Sequence, residues 1–256
     1  MKIIISPAKK MNIREDELEW ANLPCFLSRA EELKRYIQGL DLDQARKLWQ
    51  CNEKIALLNY GRFKEMDLER RLTPALLSYE GIQYQYMAPG VFEQGQWDYV
   101  QEHLRILSGF YGILKPLDGI VPYRLEMQAK VELTSGIKSL YDYWGSSICR
   151  ELAADETLIV NLASKEYSRA VEPYREAHID YVTCVFGTLA EDGTGGLKVK
   201  VKATEAKMAR GEMVRFMAER GVRDAEGLKG FDRLGYRYCQ EKSGDKEYVF
   251  IKIREQ

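Results

Sequence analysis

Histidine is scarce in the 256-residue chain: only His103 and His178 occur, neither with a second soft ligand beside it, which argues against a classical zinc site. Cysteine is sparse too. Cys25, Cys51, Cys149, Cys184 and Cys239 are scattered, odd in number and never spaced as CxxC, a pattern of reduced thiols in a cytoplasmic protein and not of a disulfide framework. Long apolar runs are missing. The run Met1-Lys2-Ile3-Ile4-Ile5-Ser6 meets Pro7 well short of a signal-peptide core, and no later segment reaches membrane-spanning length, so no membrane partner is expected. Neither a Walker loop nor a dinucleotide fingerprint is present, since the glycines have neither spacing. Nor is there an internal repeat or low-complexity tract. A strong charge of either sign is absent as well: the formal net charge is -1, so any nucleic-acid role must rest on where the cations sit.

The composition that remains is globular, with 45% hydrophobic and 30% charged residues. Such a chain folds by burial. It needs no metal and no cofactor, and a monomer is expected.

Lys2 to Ser6 reads as a buried strand stopped by Pro7. Helical spacing follows over Cys25 to Ile37, Asp43 to Trp49 and Glu53 to Lys64, and again from Gln96 to Leu104. Ile137 to Ala153 reads as one helix, and Thr157 to Leu162 as a second buried strand. Ile179 to Leu189 and Leu197 to Ala203 read as strands joined by Glu191-Asp192-Gly193-Thr194-Gly195-Gly196. A basic helix over Ala206 to Glu219 is closed by Gly221, and Asp224 caps a short helix after it. The last two strands, Tyr236 to Glu241 and Glu247 to Ile253, form a hairpin. The order predicts a mixed α/β (α+β) fold: a single compact domain over residues 1–256, with a central mixed sheet, flanking helices and a helix-hairpin-helix-like element near the C-terminus.

Four stretches carry chemistry. Ser6-Pro7-Ala8-Lys9-Lys10 places a hydroxyl and two cations at a strand end, where open α/β sheets put their ligands; a solvated turn is the alternative. Leu107-Ser108-Gly109-Phe110-Tyr111-Gly112 and Pro122-Tyr123-Arg124-Leu125-Glu126-Met127 combine permissive glycines with a guanidinium suited to phosphate. Arg124 and Glu126 share a face in extended chain, so an internal ion pair competes with a ligand role. Asn161-Leu162-Ala163-Ser164-Lys165-Glu166-Tyr167 offers small polar groups at another strand end, with helix capping as the commoner fate of Ser164. Lys198 to Arg223 holds eight Lys or Arg residues against three acids, with Lys198, Lys200 and Lys202 alternating along one strand. That segment is either a solvated face or a phosphate track.

Taken in order, Ile5-Ser6-Pro7-Ala8-Lys9, Leu107 to Gly112, Pro122 to Met127, Tyr141 with Trp144-Gly145, Asn161 to Tyr167 and Ala209-Arg210-Gly211 resemble the YaaA family of peroxide-stress proteins. The resemblance implies a fold particular to that family, a positively charged cleft, a helix-hairpin-helix element and duplex DNA binding with little sequence preference under hydrogen peroxide. It also implies links to DNA repair and to limiting damage from iron. Lys10-Met11-Asn12 and Glu212, whose charge weakens the local positive potential, depart from the pattern.

The leading expectation is therefore a DNA-binding protein in which Lys9, Lys10, Arg124, Lys207, Arg210 and Arg215 meet phosphates. Ser6, Ser108, Tyr111, Tyr123, Asn161 and Ser164 would line the cleft, and Tyr111 or Tyr123 would stack on unpaired bases. The alternative is an enzyme acting on a nucleotide or nucleic acid, with Glu126 or Glu166 as general acid or base.

Overall fold

Three consecutive isoleucines, Ile3 to Ile5, form the centre of the molecule and are wholly buried. Each contributes about 1.5–3 kcal/mol of burial. A strand buried on both faces reads as a continuous apolar run and not as an alternation, which is the mark of a parallel strand covered by helices. The computed structural model describes residues 1–14, 18–133, 136–154, 156–193 and 195–253.

Among the described residues, eight strands form one mixed sheet: β1 (Lys2–Ile5), β2 (Leu104–Ser108), β3 (Gly112–Leu114), β4 (Leu158–Leu162), β5 (Asp180–Glu191), β6 (Leu197–Lys200), β7 (Tyr236–Tyr238) and β8 (Glu247–Lys252). Their order is β7-β8-β5-β4-β1-β2-β3, with β6 paired to β5. The core from β2 through β1, β4 and β5 to β8 is parallel, and β3, β6 and β7 run antiparallel to their neighbours. The chain moves from β1 to β2 on one side, then returns to β4 on the other. The gap between β1 and β4 is thus the point where the winding reverses, and a crevice opens there at the strands' carboxyl ends.

The expected helices form at Leu27–Gln38, Leu42–Trp49, Glu53–Lys64 and Gln94–His103. The helix expected over Ile137 to Ala153 is instead two, Leu140–Trp144 and Ser147–Ala153, because Gly145 adopts φ 48°, a left-handed conformation that ends the first. The first strand closes at Ile5, one residue early, and Ser6 is freed from the ladder. Thr194, in the turn expected between β5 and β6, lies outside the described residues.

The long helix Ala203–Arg220 is less of a solvated basic helix than its charge suggests. Ala206, Ala209, Gly211, Met213, Val214, Phe216, Met217 and Ala218 are all buried. It packs against β5 and against the short helix Ile82–Met87. The contact with that short helix is backbone to backbone, since a Cβ on Gly211 would lie 2.1 Å from the Gln83 carbonyl oxygen. Beyond Gly221, also left-handed, a single helical turn, Ala225–Leu228, follows. Its Gly227 N–H donates to the Asp224 carboxylate at 2.8 Å. The outcome is one mixed α/β body with helices flanking its central sheet.

Candidate functional site at the carboxyl ends of two central strands

The crevice between β1 and β4 is a cleft of about 420 Å³. Its floor is two serines. The Ser6 hydroxyl accepts the Ser164 N–H at 2.8 Å and donates to the Ser164 hydroxyl at 3.2 Å, tying the ends of the two strands together. Tyr84 donates its phenol to the Ser6 carbonyl at 3.0 Å. Ser164 stands at the cap position just before the Lys165–Ser168 helix, yet its side chain makes no capping bond there. Capping is the usual use of such a serine; here the hydroxyl faces Ser6 and the cleft.

Lys9, Lys10, Lys207, Arg210, Glu126 and Glu166 reach the same cleft from distant parts of the sequence. Two close approaches make this convergence feasible. Gly211 lets the long helix bring Lys207 and Arg210 over the opening. Gly109 does the same on the other side: a Cβ there would stand 2.5 Å from the Leu125 carbonyl oxygen and 2.9 Å from the Glu126 carbonyl carbon. The glycine therefore lets the loop after β2 press the Glu126 main chain into place.

Charges in the cleft are largely matched. Lys9 pairs with Glu126 at 3.1 Å, and Arg124 donates to the same carboxylate oxygen at 2.9 Å from behind it. Lys10 pairs with Glu80 at 2.6 Å, and Asn12 donates to the second oxygen of Glu80 at 2.6 Å. The described lining holds four cations, Lys9, Lys10, Lys207 and Arg210, against three carboxylates, Glu80, Glu126 and Glu166. The lining is thus mixed in charge, with one cation in excess among the described residues. Lys207 and Arg210 differ from the two N-terminal lysines: among the described residues neither has a carboxylate partner.

Glu166 is the carboxyl with the unusual environment. Burial raises its pKa above the ordinary glutamate value, opposed by the Gln128 N–H, which donates to it at 3.4 Å; the nearby Glu126 charge raises it further. Arg210 is perturbed in the complementary way, its guanidinium pKa lowered by burial. Its Nε is buried without a partner, and so are Gln83 Nε2 and Arg124 Nε. Gln83 is only 7% exposed and lines the cleft.

Several residues expected at the site lie elsewhere. Ser108, Tyr111 and Tyr123 are buried beneath the cleft and do not line it. Ser108 takes the N–H groups of Phe110 and Tyr111 at 3.1 and 2.9 Å, while its hydroxyl meets that of Tyr123 at 2.6 Å. Tyr123 in turn meets the Tyr79 hydroxyl at 2.7 Å, and Val121 N–H donates to Tyr111 at 3.3 Å. Tyr123 stacks on Phe110 and Tyr111 meets both rings edge-on, so the two tyrosines are closed to a base. The physical reason is that aromatic rings gain more from mutual burial than from exposure at a loop. Asn161 is also buried; it accepts the Ala163 N–H at 2.9 Å and donates to Thr183 at 3.3 Å, shaping the turn after β4. Arg215 is held by Glu219 at 2.8 Å and lies away from the cleft lining. Glu212 is engaged by Arg233 at 3.2 Å. Of the lysine ladder, Lys198 and Lys200 are on β6, whereas Lys202 precedes the long helix and pairs with Glu205 at 3.1 Å.

Sequence reasoning missed Glu80, Gln83 and Tyr84. The one local signal is that Tyr84 stands in a tyrosine-rich stretch with Tyr79 and Tyr86, and nothing in the local pattern marks Gln83. Among the described residues, no group of three or more His, Cys, Asp or Glu could hold a metal ion, and no helix is long and apolar enough to cross a membrane.

The chain is similar over almost its whole length to proteins from several bacteria. A UPF0246 protein of Desulfitobacterium hafniense is 55% identical over 252 residues, covering 98% of both chains. One of Agathobacter rectalis is 50% identical over 250 residues, again 98% of each, and one of Lachnoclostridium phytofermentans is 50% identical over 252 residues, 98% of this chain and 96% of that one. The family model described as peroxide stress protein YaaA matches residues 1–242. The ordered set of motifs, the coverage and the identity agree: the chain belongs to the YaaA family of peroxide stress proteins.

Proposed function

We propose that this member of a peroxide stress family acts by binding DNA with little sequence preference, as a monomer in the cytoplasm, and that the cleft between β1 and β4 is where it grips phosphate. The observation that carries this reading is the pair Lys207 and Arg210, two cations that face the cleft with no carboxylate partner among the described residues. Lys9, Lys10 and Arg124 are engaged by glutamates and supply a weaker, secondary attraction. Contacts to phosphate alone give affinity without base readout. Binding to a labelled duplex should weaken with salt, with a log-log slope of about -2 to -4 for two to four phosphates neutralised. Absent or salt-insensitive binding overturns the reading.

A second reading, an enzyme acting on a nucleotide or nucleic acid, is favoured by one observation: Glu166, with its raised pKa, shares the cleft with the Ser6 and Ser164 hydroxyls. Glu126 is engaged by two cations, which leaves Glu166 as the group placed to exchange a proton. Turnover of nucleotides or damaged DNA that is lost in Glu166→Gln, with melting temperature and binding intact, would establish it. No turnover across such a screen would leave the binding function alone.

A further inference from the structure

The cleft holds two kinds of positive charge. Lys9 and Lys10 are matched by Glu126 and Glu80, whereas Lys207 and Arg210 are not matched among the described residues. Beside Arg210, on the helix packed against its own, is Gln83, a buried amide whose Nε2 has no acceptor. A guanidinium nitrogen and an amide nitrogen, both buried and both without acceptors, are costly in an empty protein. Two positive charges and a neutral donor in one corner complement a single group carrying close to two negative charges and several acceptor oxygens.

We infer that Lys207, Arg210 and Gln83 form a recognition subsite for the phosphomonoester of a nucleotide, held at one end of the cleft while the carboxylate of Glu166 takes a hydrogen bond from the rest of the molecule. This rests on the reading of the cleft as a nucleic-acid site and narrows it from backbone phosphates in general to a terminal phosphate. Two features favour a terminus over a chain passing through. A space of about 420 Å³ is on the scale of one nucleotide. Three carboxylates set among the four cations interrupt any continuous phosphate track, and Glu166 suits the hydroxyl and amine donors of a single sugar and base. The phosphomonoester belongs either to a free mononucleotide or to the phosphorylated end of a strand.

The full chain is titrated with adenosine 5′-monophosphate, with adenosine, and with one labelled duplex prepared with 5′-phosphate or 5′-hydroxyl ends. The phosphate should raise affinity by about tenfold or more in at least one of these pairs. In Arg210→Met and in Gln83→Leu that advantage should shrink to less than about twofold, for the same reason. Melting curves accompany each variant; because neither nitrogen has a partner to lose, neither variant should melt below the parent protein, and should one fail to fold, the other carries the comparison. Preference for the phosphorylated duplex assigns strand ends. Arg210-dependent binding of the mononucleotide with no duplex binding keeps the subsite and ends the DNA reading. Equal binding of phosphorylated and unphosphorylated ligands in both pairs overturns the subsite, and if the duplex still binds with its steep salt dependence, the DNA reading stands without it.

Discussion

Gln83 and Gly211 are in backbone contact: the Gln83 carbonyl oxygen occupies the space where any side chain at position 211 would begin, 2.1 Å from a Cβ built there. This single approach joins the helix Ile82–Met87 to the long helix Ala203–Arg220 and places a buried amide beside the buried Nε of Arg210.

Gly211→Ala should therefore act on stability and on the cleft together. Forcing a methyl against a carbonyl makes the helices part, at a cost of about 1–3 kcal/mol. For a chain of this size each kcal/mol lowers the melting temperature by about 2–4 °C. A thermal melt in which Gly211→Ala matches the parent would show that the two helices are not locked at this point.

Glu126→Gln tests the charge balance. Its carboxylate serves both Lys9 and Arg124, and the Arg124 partner is largely buried, with 11% side-chain exposure on each side. Removing the charge leaves Arg124 uncompensated, so a loss of about 1–3 kcal/mol is expected, discounted because Lys9 is open to solvent. The same change frees Lys9 for phosphate, so affinity for DNA at low salt should rise while stability falls. Affinity and stability falling in parallel would mean that Glu126 serves the ligand directly.

Asp118 makes the stability depend on pH in a defined window. Burial pushes its pKa up from an ordinary 3.8 to about 6, against the Lys115 N–H, which donates to it at 2.8 Å. A raised folded-state pKa favours the protonated form, so this group's contribution is fully present below pH 3.8 and is lost as pH rises through about 6. Asp118→Asn keeps an acceptor for Lys115 and removes the buried charge. The variant should gain on the parent between those two values, reaching at most about 3 kcal/mol by pH 7. Denaturant melts at pH 4 and pH 7 check this, and an equal difference at both refutes it.

Membership of a peroxide stress family raises the question of thiol sensing, and four of the five cysteines argue against a role in it. Burial pushes Cys25 and Cys184 up to about 12 and raises Cys51 and Cys149 as well. Peroxide attacks thiolates, and a thiol held protonated is slow to react. Mild hydrogen peroxide followed by denaturing alkylation and mass spectrometry should find these four thiols reduced. A sulfenic acid trapped on any of them would reverse this conclusion.

Local signals in the sequence reached far. The isoleucine run with its proline stop placed β1, and helical spacing placed Leu27–Gln38, Leu42–Trp49 and Glu53–Lys64 within two residues at either end. Ser6, Lys9, Lys10, Ser164, Glu166, Lys207 and Arg210 were all singled out before their convergence was visible. These elements are legible because the alternation of a strand and the buried face of a helix repeat over a few residues.

The tertiary structure decided what those residues are for. The motif Leu107 to Gly112 and the tyrosine of Pro122 to Met127 have the composition of a ligand loop, but packing turned Ser108, Tyr111 and Tyr123 inward as the cleft's foundation. Arg124 and Glu126 became a pair that Lys9 shares. Which lysines are matched by a carboxylate, which amide is buried without an acceptor, and that Gly109 and Gly211 serve close approach of backbones are all facts about residues far apart in the chain. The sequence determined the elements and the inventory of charges; only folding set which charges cancel, because an ion pair depends on distance in space and not on position along the chain.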